Sequence, residues 1–225
     1  WPKANLITNE AIKSGDVIVG LAGFGKANYE NAYNSGIASN GLTSARHDLL
    51  NQTYKQQFPE SLDPSMEIEV AYTGPYTLSS EVVDQGNRYT VGELLLSPTR
   101  TFAPVIKKLL EEIPHAIHGL IHCSGGGQTK CLKYLPGSFK VVKDNLFTPP
   151  LVFKLIQEAS KSDLREMMQV FNMGTRLEIY TDIKQAQSII DIAESFGVAA
   201  QIIGRVEEAA KKELIIQHQN EQLVF

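Results

Sequence analysis

An apolar segment that runs straight into three glycines constrains this chain more than any other feature: His118-Gly-Leu-Ile-His-Cys-Ser-Gly-Gly-Gly-Gln-Thr-Lys130. Glycine has no side chain to pack and loses more backbone freedom on folding than any other residue. Three in a row are tolerated where backbone must turn sharply or come close to something. The preceding run, Ala116 to Cys123, reads as the central strand of a sheet, and Gln128 to Lys133 is compatible with a helix. A strand, a glycine turn and a helix start aim backbone N–H groups at one point, with the positive end of the helix dipole behind them. Such a turn can hold an anion. It can also be a tight strand-to-helix connection with no ligand.

Strand and helix patterns alternate along the rest of the chain. Val17 to Ala22 reads as a buried strand after the turn Ser14-Gly15-Asp16. A long polar loop, Gly23 to Ser39, leads into a helix from Leu42 to Gln56. Met66 to Tyr72 alternates as a strand does, and Gln85-Gly-Asn87 signals a turn. Helices are expected over 101–112, from Pro149-Pro150 to Ser160, over 164–170 behind Ser162-Asp163, and over 183–196 before Gly197. Strands are expected over 139–143, 176–181 and 199–203, and the tail, 214–218 and 222–225, reads as a hairpin. The pattern predicts an α/β chain: a single mixed β-sheet with flanking helices.

Bulk properties exclude several classes. The charge is −4, and lysines and arginines are scattered, so no nucleic-acid surface is expected. No apolar run approaches the ~20 residues of a membrane helix. Trp1-Pro-Lys-Ala-Asn-Leu is no signal peptide. Cys123 and Cys131 give neither a disulfide framework nor a zinc pattern. A cytoplasmic protein is the simplest expectation. The chain opens at Trp1 without a methionine, which reads as a cut from a longer protein.

Four stretches carry candidate chemistry. Gly20-Leu-Ala-Gly-Phe-Gly-Lys26 has the spacing of a phosphate loop, but Ala27 stands where Ser or Thr would reach Mg²⁺. A stand-alone nucleotide hydrolase therefore has weak support, and a plain strand-end loop is the better reading. Ser39-Asn40-Gly41 precedes a helix; Asn40 can cap it, Gly41 admits a ligand, and Arg46 lies one turn further on. Here too a capped helix with a surface arginine is the simpler alternative. His118 and His122 are four residues apart, about 13 Å along a strand. Two ligands of one zinc must each lie within about 2.1 Å of it, so no metal is assigned. His122, beside the glycines, can donate to an anion or move a proton, while His118 reads as a packed residue. Cys123 and His122, as strand neighbours, face opposite sides, which argues against a nucleophile pair.

Taken together these stretches resemble the C-terminal domain of the phosphoribosylformylglycinamidine cyclo-ligases, the AIR synthetase family. The resemblance rests on Gly15-Asp-Val-Ile-Val-Gly-Leu21, Ser39-Asn-Gly41 with Arg46, Ser97-Pro-Thr-Arg100, His118 and His122 with Gly125-Gly-Gly127, Pro149-Pro150, Phe171-Asn-Met-Gly174 and Ile203-Gly-Arg-Val206. They run in family order across most of the chain. The 24–34 segment and the 59–87 region depart from the common form. The resemblance implies that residues 1–225 are one C-terminal-type domain, with the family's N-terminal ATP-binding domain absent. It implies ATP-dependent closure of formylglycinamidine ribonucleotide to aminoimidazole ribonucleotide in purine biosynthesis. ATP and Mg²⁺ would be held mainly by the other domain, and the full-length enzyme would be a homodimer. The isolated chain is expected to be inactive. On this reading His122 and Arg46 are the catalytic candidates. Ser39, Asn40, Gly41, Arg100, Ser124, Gly125, Gly126 and Gly127 are the phosphate-binding candidates, with Arg100 alternatively paired to a carboxylate at the helix start. The alternative function is a non-catalytic module that binds a phosphorylated metabolite.

Overall fold

The computed structural model describes residues 6–39, 41–218 and 220–225. In chain order, β1 (Val17–Ala22) is followed by the short pair β2 (Phe24–Gly25) and β3 (Asn34–Ser35), then α1 (Leu42–Leu49) and α2 (Thr53–Gln57). Next come β4 (Glu81–Asp84), β5 (Asn87–Thr90), α3 (Val91–Leu95), α4 (Ala103–Glu112), β6 (Gly119–His122), α5 (Cys131–Tyr134) and β7 (Phe139–Lys143). The last third holds α6 (Leu151–Ser160), α7 (Leu164–Val170), β8 (Thr175–Thr181), α8 (Ile183–Ser195), β9 (Ala200–Glu208), β10 (Glu213–His218) and β11 (Glu221–Val224).

Seven strands form one mixed sheet in the order β11-β10-β7-β9-β1-β8-β6. Its pairs are antiparallel except β7 with β10. β1 reads as an unbroken apolar run because both its faces are covered. Ile18 and Ala22 share one core with Tyr180, Ile203 and the apolar sides of α1, α6 and α7. Val19 and Leu21 share the other with Leu177, Ile179, α4 and α8. Helices thus flank both faces of the single mixed sheet, as the alternation predicts. Asp163 caps α7 by accepting from the Glu166 N–H at 2.8 Å, and α8 gives way to Gly197 at φ +72°. Among the described residues no helix is long and apolar enough to cross a membrane.

Three expectations are corrected. The strand before the glycines is the edge of the sheet, not its centre, and is only Gly119–His122. Its apolar run is buried by other means: Ile12 lies against Gly119, and the Leu120 N–H donates to Asn9 Oδ1 at 2.8 Å. The helix from Leu42 breaks at Leu50-Asn51, where the backbone extends to bridge Tyr76 and the Asn51 side chain accepts from Thr53 N–H. Met66 to Tyr72 forms no strand; Ile68–Val70 is a single 3₁₀ turn with both end side chains exposed. Alternation there has no strand partner to pair with. Gln85-Gly86, both at positive φ, make the tight turn of the β4–β5 hairpin.

Candidate functional site

Phe171 to Gly174, the connection from α7 into β8, holds two loops in place. The Asn172 side-chain amide donates to the Gly36 carbonyl at 2.9 Å. The Asn172 backbone carbonyl accepts from the Gln128 side-chain amide. Arg176, almost fully buried, donates to Gly36 and Ile37 carbonyls at 3.0 and 2.9 Å and to the Cys123 carbonyl at 3.0 Å. Gly41, at φ +75°, lies so close to Phe171 that a Cβ would stand 2.5 Å from the ring. Gly127 abuts the carbonyls of Phe171 and Met168. The loop at 36–41 and the turn at 123–128 are therefore brought to one end of the sheet by a single hub. The segment 97–102 forms a third side: Thr99 Oγ1 accepts from Ser39 N–H at 3.4 Å, and Phe102 meets the His122 ring edge-on at 6.4 Å.

The turn itself explains one of its glycines locally. Gly127 N–H donates to Ser124 O at 3.0 Å. Gly126, at φ 93° and ψ 1°, occupies the position of a type II turn that needs a left-handed backbone. The Gly125 and Gly126 N–H groups have no acceptor among the described residues. Lys130 Nζ donates to Ser124 Oγ. His122 is exposed at the strand end, yet desolvation of its ring, then the charges of Arg176 and Lys130, hold its pKa below the ordinary range. It is neutral at pH 7 in a positive field. Two unfilled N–H groups, the Lys130 ammonium and the His122 imidazole at one turn can accept an anion, with the ammonium as its counter-charge.

A buried ion pair underlies this turn. Lys143 and Glu178, both fully buried, pair directly, and Lys143 also donates to Gln128 O at 2.6 Å. Glu178 accepts from Tyr180 Oη at 2.9 Å and from Cys123 Sγ at 3.2 Å. Burial, then the neighbouring carboxylate, push the Cys123 thiol well above its ordinary pKa, so it is no nucleophile. Arg176, Lys143, Glu178 and Gln128 were not among the predicted site residues. The signal for two of them was in view: Thr175-Arg-Leu-Glu-Ile-Tyr180 places charges at alternate positions of a strand, and buried charges need partners.

The remaining predicted residues fall in other places. Asn40 lies outside the described residues. Ser39 and Gly41 lie in the loop that faces the turn. Arg46 does not join them: it donates to Ser61 O at 3.1 Å, meets His47 Nε2 at 3.3 Å and lies over the Tyr72 ring at 5.7 Å. Arg100 is corrected as a phosphate ligand. Its guanidinium is fully buried and spent on Glu30 (2.9 and 2.6 Å) and on the carbonyls of Ala22, Phe24 and Gly25. The carboxylate it pairs with is in the loop after β2, not at a helix start. Burial pushes Glu30 up, but Arg100 and the Ala27 N–H outweigh it and hold the carboxyl below its ordinary range. His118 Nδ1 meets Asp16 at 2.9 Å, a packing role. No group of three or more His, Cys, Asp or Glu among the described residues can hold a metal ion.

An open mixed sheet covered on both faces, with two loops meeting at one end, defines the class of fold. The model of the family described as AIR synthase related protein, C-terminal domain, matches residues 13–217, and the chain belongs to this family. Among curated relatives, the phosphoribosylformylglycinamidine cyclo-ligase of Carboxydothermus hydrogenoformans is 30% identical over 95% of this chain and 52% of its own length. The protein of that name from Methanopyrus kandleri is 31% identical over 90% of this chain and 47% of its own. The chain thus spans about half the length of the curated relatives it matches. Among solved structures, T. maritima PurL complexed with FGAR aligns with a TM-score of 0.52 at 16% identity, over 98% of this chain and 28% of that one. HypE of E. coli aligns with a TM-score of 0.52 at 14% identity, over 96% of this chain and 51% of that one. These two likenesses show the shared fold.

Proposed function

We propose that this chain is one wall of the active cleft of a phosphoribosylformylglycinamidine cyclo-ligase. The observation that carries the reading is its likeness, across most of its length, to relatives of that name. In the proposed reaction ATP phosphorylates the formyl amide oxygen of formylglycinamidine ribonucleotide. The amidine nitrogen attacks the activated carbon, and inorganic phosphate leaves. An amide oxygen is a poor leaving group until phosphorylated, so two anions must be held close together and water kept out.

This chain's part is to receive negative charge. Gly125 and Gly126 N–H, with Ser124 and Lys130 beside them, would act together with Ser39 and Gly41 to hold the substrate phosphate or the transferred phosphoryl. His122 stays neutral until an anion arrives and then takes up a proton. ATP and Mg²⁺ would be held by an N-terminal half, which also carries the homodimer contacts. The described residues offer no group of three or more His, Cys, Asp or Glu that could hold Mg²⁺. The setting is cytoplasmic.

The test is reconstitution. The chain alone is expected to turn over neither ATP nor formylglycinamidine ribonucleotide. Co-expressed with the ATP-binding half of a full-length relative, it should close the imidazole ring. A pair that assembles and binds substrate but forms no aminoimidazole ribonucleotide would mark a non-catalytic binding module instead.

A further inference from the structure

A chamber beside Ser39 holds an arginine to which the proposed reaction gives no role. It lies between α1 and the 54–72 segment and encloses about 580 Å³. That is within the range of roughly 300–1,000 Å³ that small-molecule sites occupy. Leu42, Leu50, Tyr54, Tyr72 and Leu95 make its walls apolar. Leu96, 75% exposed, and Phe58, 46% exposed, lie at its rim. Large apolar side chains left this open around a cavity mark a surface that something else covers.

Arg46 is the cation in this chamber. Nη2 is fixed by the Ser61 carbonyl and by His47 Nε2. Among the described residues Nη1 has no acceptor and no carboxylate pairs with the guanidinium. Nε is buried without a partner. Burial, then the charge of Arg46, keep His47 below its ordinary pKa, so it is a neutral acceptor that steadies Arg46 and does not compete for an anion. An arginine anchored at Nη2 and without partners at Nη1 and Nε, in an apolar chamber, is short of acceptors.

We infer that this chamber binds a small organic monoanion, a carboxylate on a flat apolar body. One guanidinium carries one positive charge; with Nη1 and Nε both without a partner, in a lining that also holds Ser39 and Thr43, it matches a single negative charge. The Glu60 carboxylate in the same wall disfavours a phosphate dianion. The apolar walls take the ring, and Arg46 sets its direction. Ser39 lines the chamber too, but among the described residues the contacts of Arg46 are with His47, Ser61 and Tyr72, and none is with the glycine turn.

The probes are 2-naphthoate, its neutral isostere 2-naphthamide, and inorganic phosphate, each titrated into the 225-residue chain and followed by amide NMR shifts. 2-Naphthoate should bind below about 1 mM and move the amides of α1, with the amide isostere about tenfold weaker. Arg46→Gln should erase that tenfold preference and leave 2-naphthamide unchanged. Leu96→Glu, at an exposed position that does not threaten the fold, should weaken the naphthoate selectively by like-charge repulsion. Phosphate should leave the α1 amides in place. Equal affinity for the two naphthyl probes, preference retained in Arg46→Gln, shifts centred on 122–127, or no binding at about 5 mM would each overturn the inference.

Discussion

Of the glycine-bearing turns that follow strands among the described residues, the ones after β1 and β6 have opposite polarity. After β1, the carbonyls of Ala22, Phe24 and Gly25 converge on the Arg100 guanidinium. After β6, the N–H groups of Gly125 and Gly126 are left without acceptors among the described residues. The first turn is built to hold a cation, and the chain fills it with its own arginine. The second is suited to an anion and stays open. Glycine spacing alone does not distinguish them. What does is which backbone group the turn points inward, and that depends on the residue supplied from a distance, Arg100 in one case and Arg176 in the other. Arg176 takes the Cys123 carbonyl, so the second turn has little left to present except N–H groups.

The largest effect expected from breaking this contrast is at Arg100. Arg100→Met strands three carbonyls and leaves Glu30 without its partner. Loss of one member of a buried pair costs about 3–5 kcal/mol, which urea denaturation would read directly. Unchanged stability with lost sulfate binding would instead return Arg100 to the anion site.

Next in size is the difference between neighbouring glycines. Gly127→Ala places a methyl against the carbonyls of Phe171 and Met168, an overpacking cost of about 1–3 kcal/mol. Gly126→Ala meets nothing closer than the Lys130 Cβ at 3.6 Å, so it bears only the left-handed backbone penalty of about 1–2 kcal/mol. The prediction is two separable phenotypes: Gly127→Ala lowers the thermal midpoint most, while Gly126→Ala stays folded with a turn that presents its N–H groups less well. Sulfate titrations of both variants, compared at equal folded fraction, would show which glycine serves the ligand.

Much of the fold was legible because one residue type at a time decides it. The β1 run, the Asp163 cap and the Gly197 stop each follow from local chemistry, and the elements appear where these signals put them. The break at Leu50-Asn51 was not legible, since it depends on Tyr76, a bridge partner far along the chain. Edge position was equally hidden: β6 reads as central because Ile12 and Asn9 cover its flank. At the site, the glycines and His122 carry their own signal. The direction of Arg46 and the burial of Arg100 do not, because a long cationic side chain goes to whichever acceptors the tertiary fold offers within its reach. For Arg46 the distant acceptor, the Ser61 carbonyl, lies in the 58–72 segment, a stretch with no regular period to place it in advance.

A smaller effect separates the turns by pH. His122 has a lowered pKa in the folded chain, from desolvation and then Arg176 and Lys130. As pH falls through about 6.5, the unfolded chain takes the proton first. Stability is therefore lost on acidification, and His47 and His218, also lowered by burial, act in the same direction. Bound sulfate, which does not titrate here, should reverse the local sign by favouring the charged ring. The His122 titration midpoint, followed by NMR, should rise with sulfate, and His122→Gln should weaken sulfate binding more at pH 5.5 than at pH 8, where about 6.5 is the ordinary midpoint. A midpoint that ignores sulfate would separate His122 from the anion.

The smallest expected effect is at Lys26, and its smallness is the point. In a phosphate loop the lysine after the second glycine carries much of the ligand's charge. Here Lys26 is exposed, and the turn it follows offers carbonyls to Arg100. A surface side chain outside any network changes stability by no more than about 0.5 kcal/mol. Lys26→Ala should leave the denaturation midpoint and sulfate affinity within error of the parent, and ATP should produce no shift of the 20–27 amides in either protein. An ATP-dependent shift there that vanishes in Lys26→Ala would show that the turn can invert and bind phosphate after all. For that, Arg100 would have to leave three carbonyls and Glu30 at once, at a cost comparable to its own deletion.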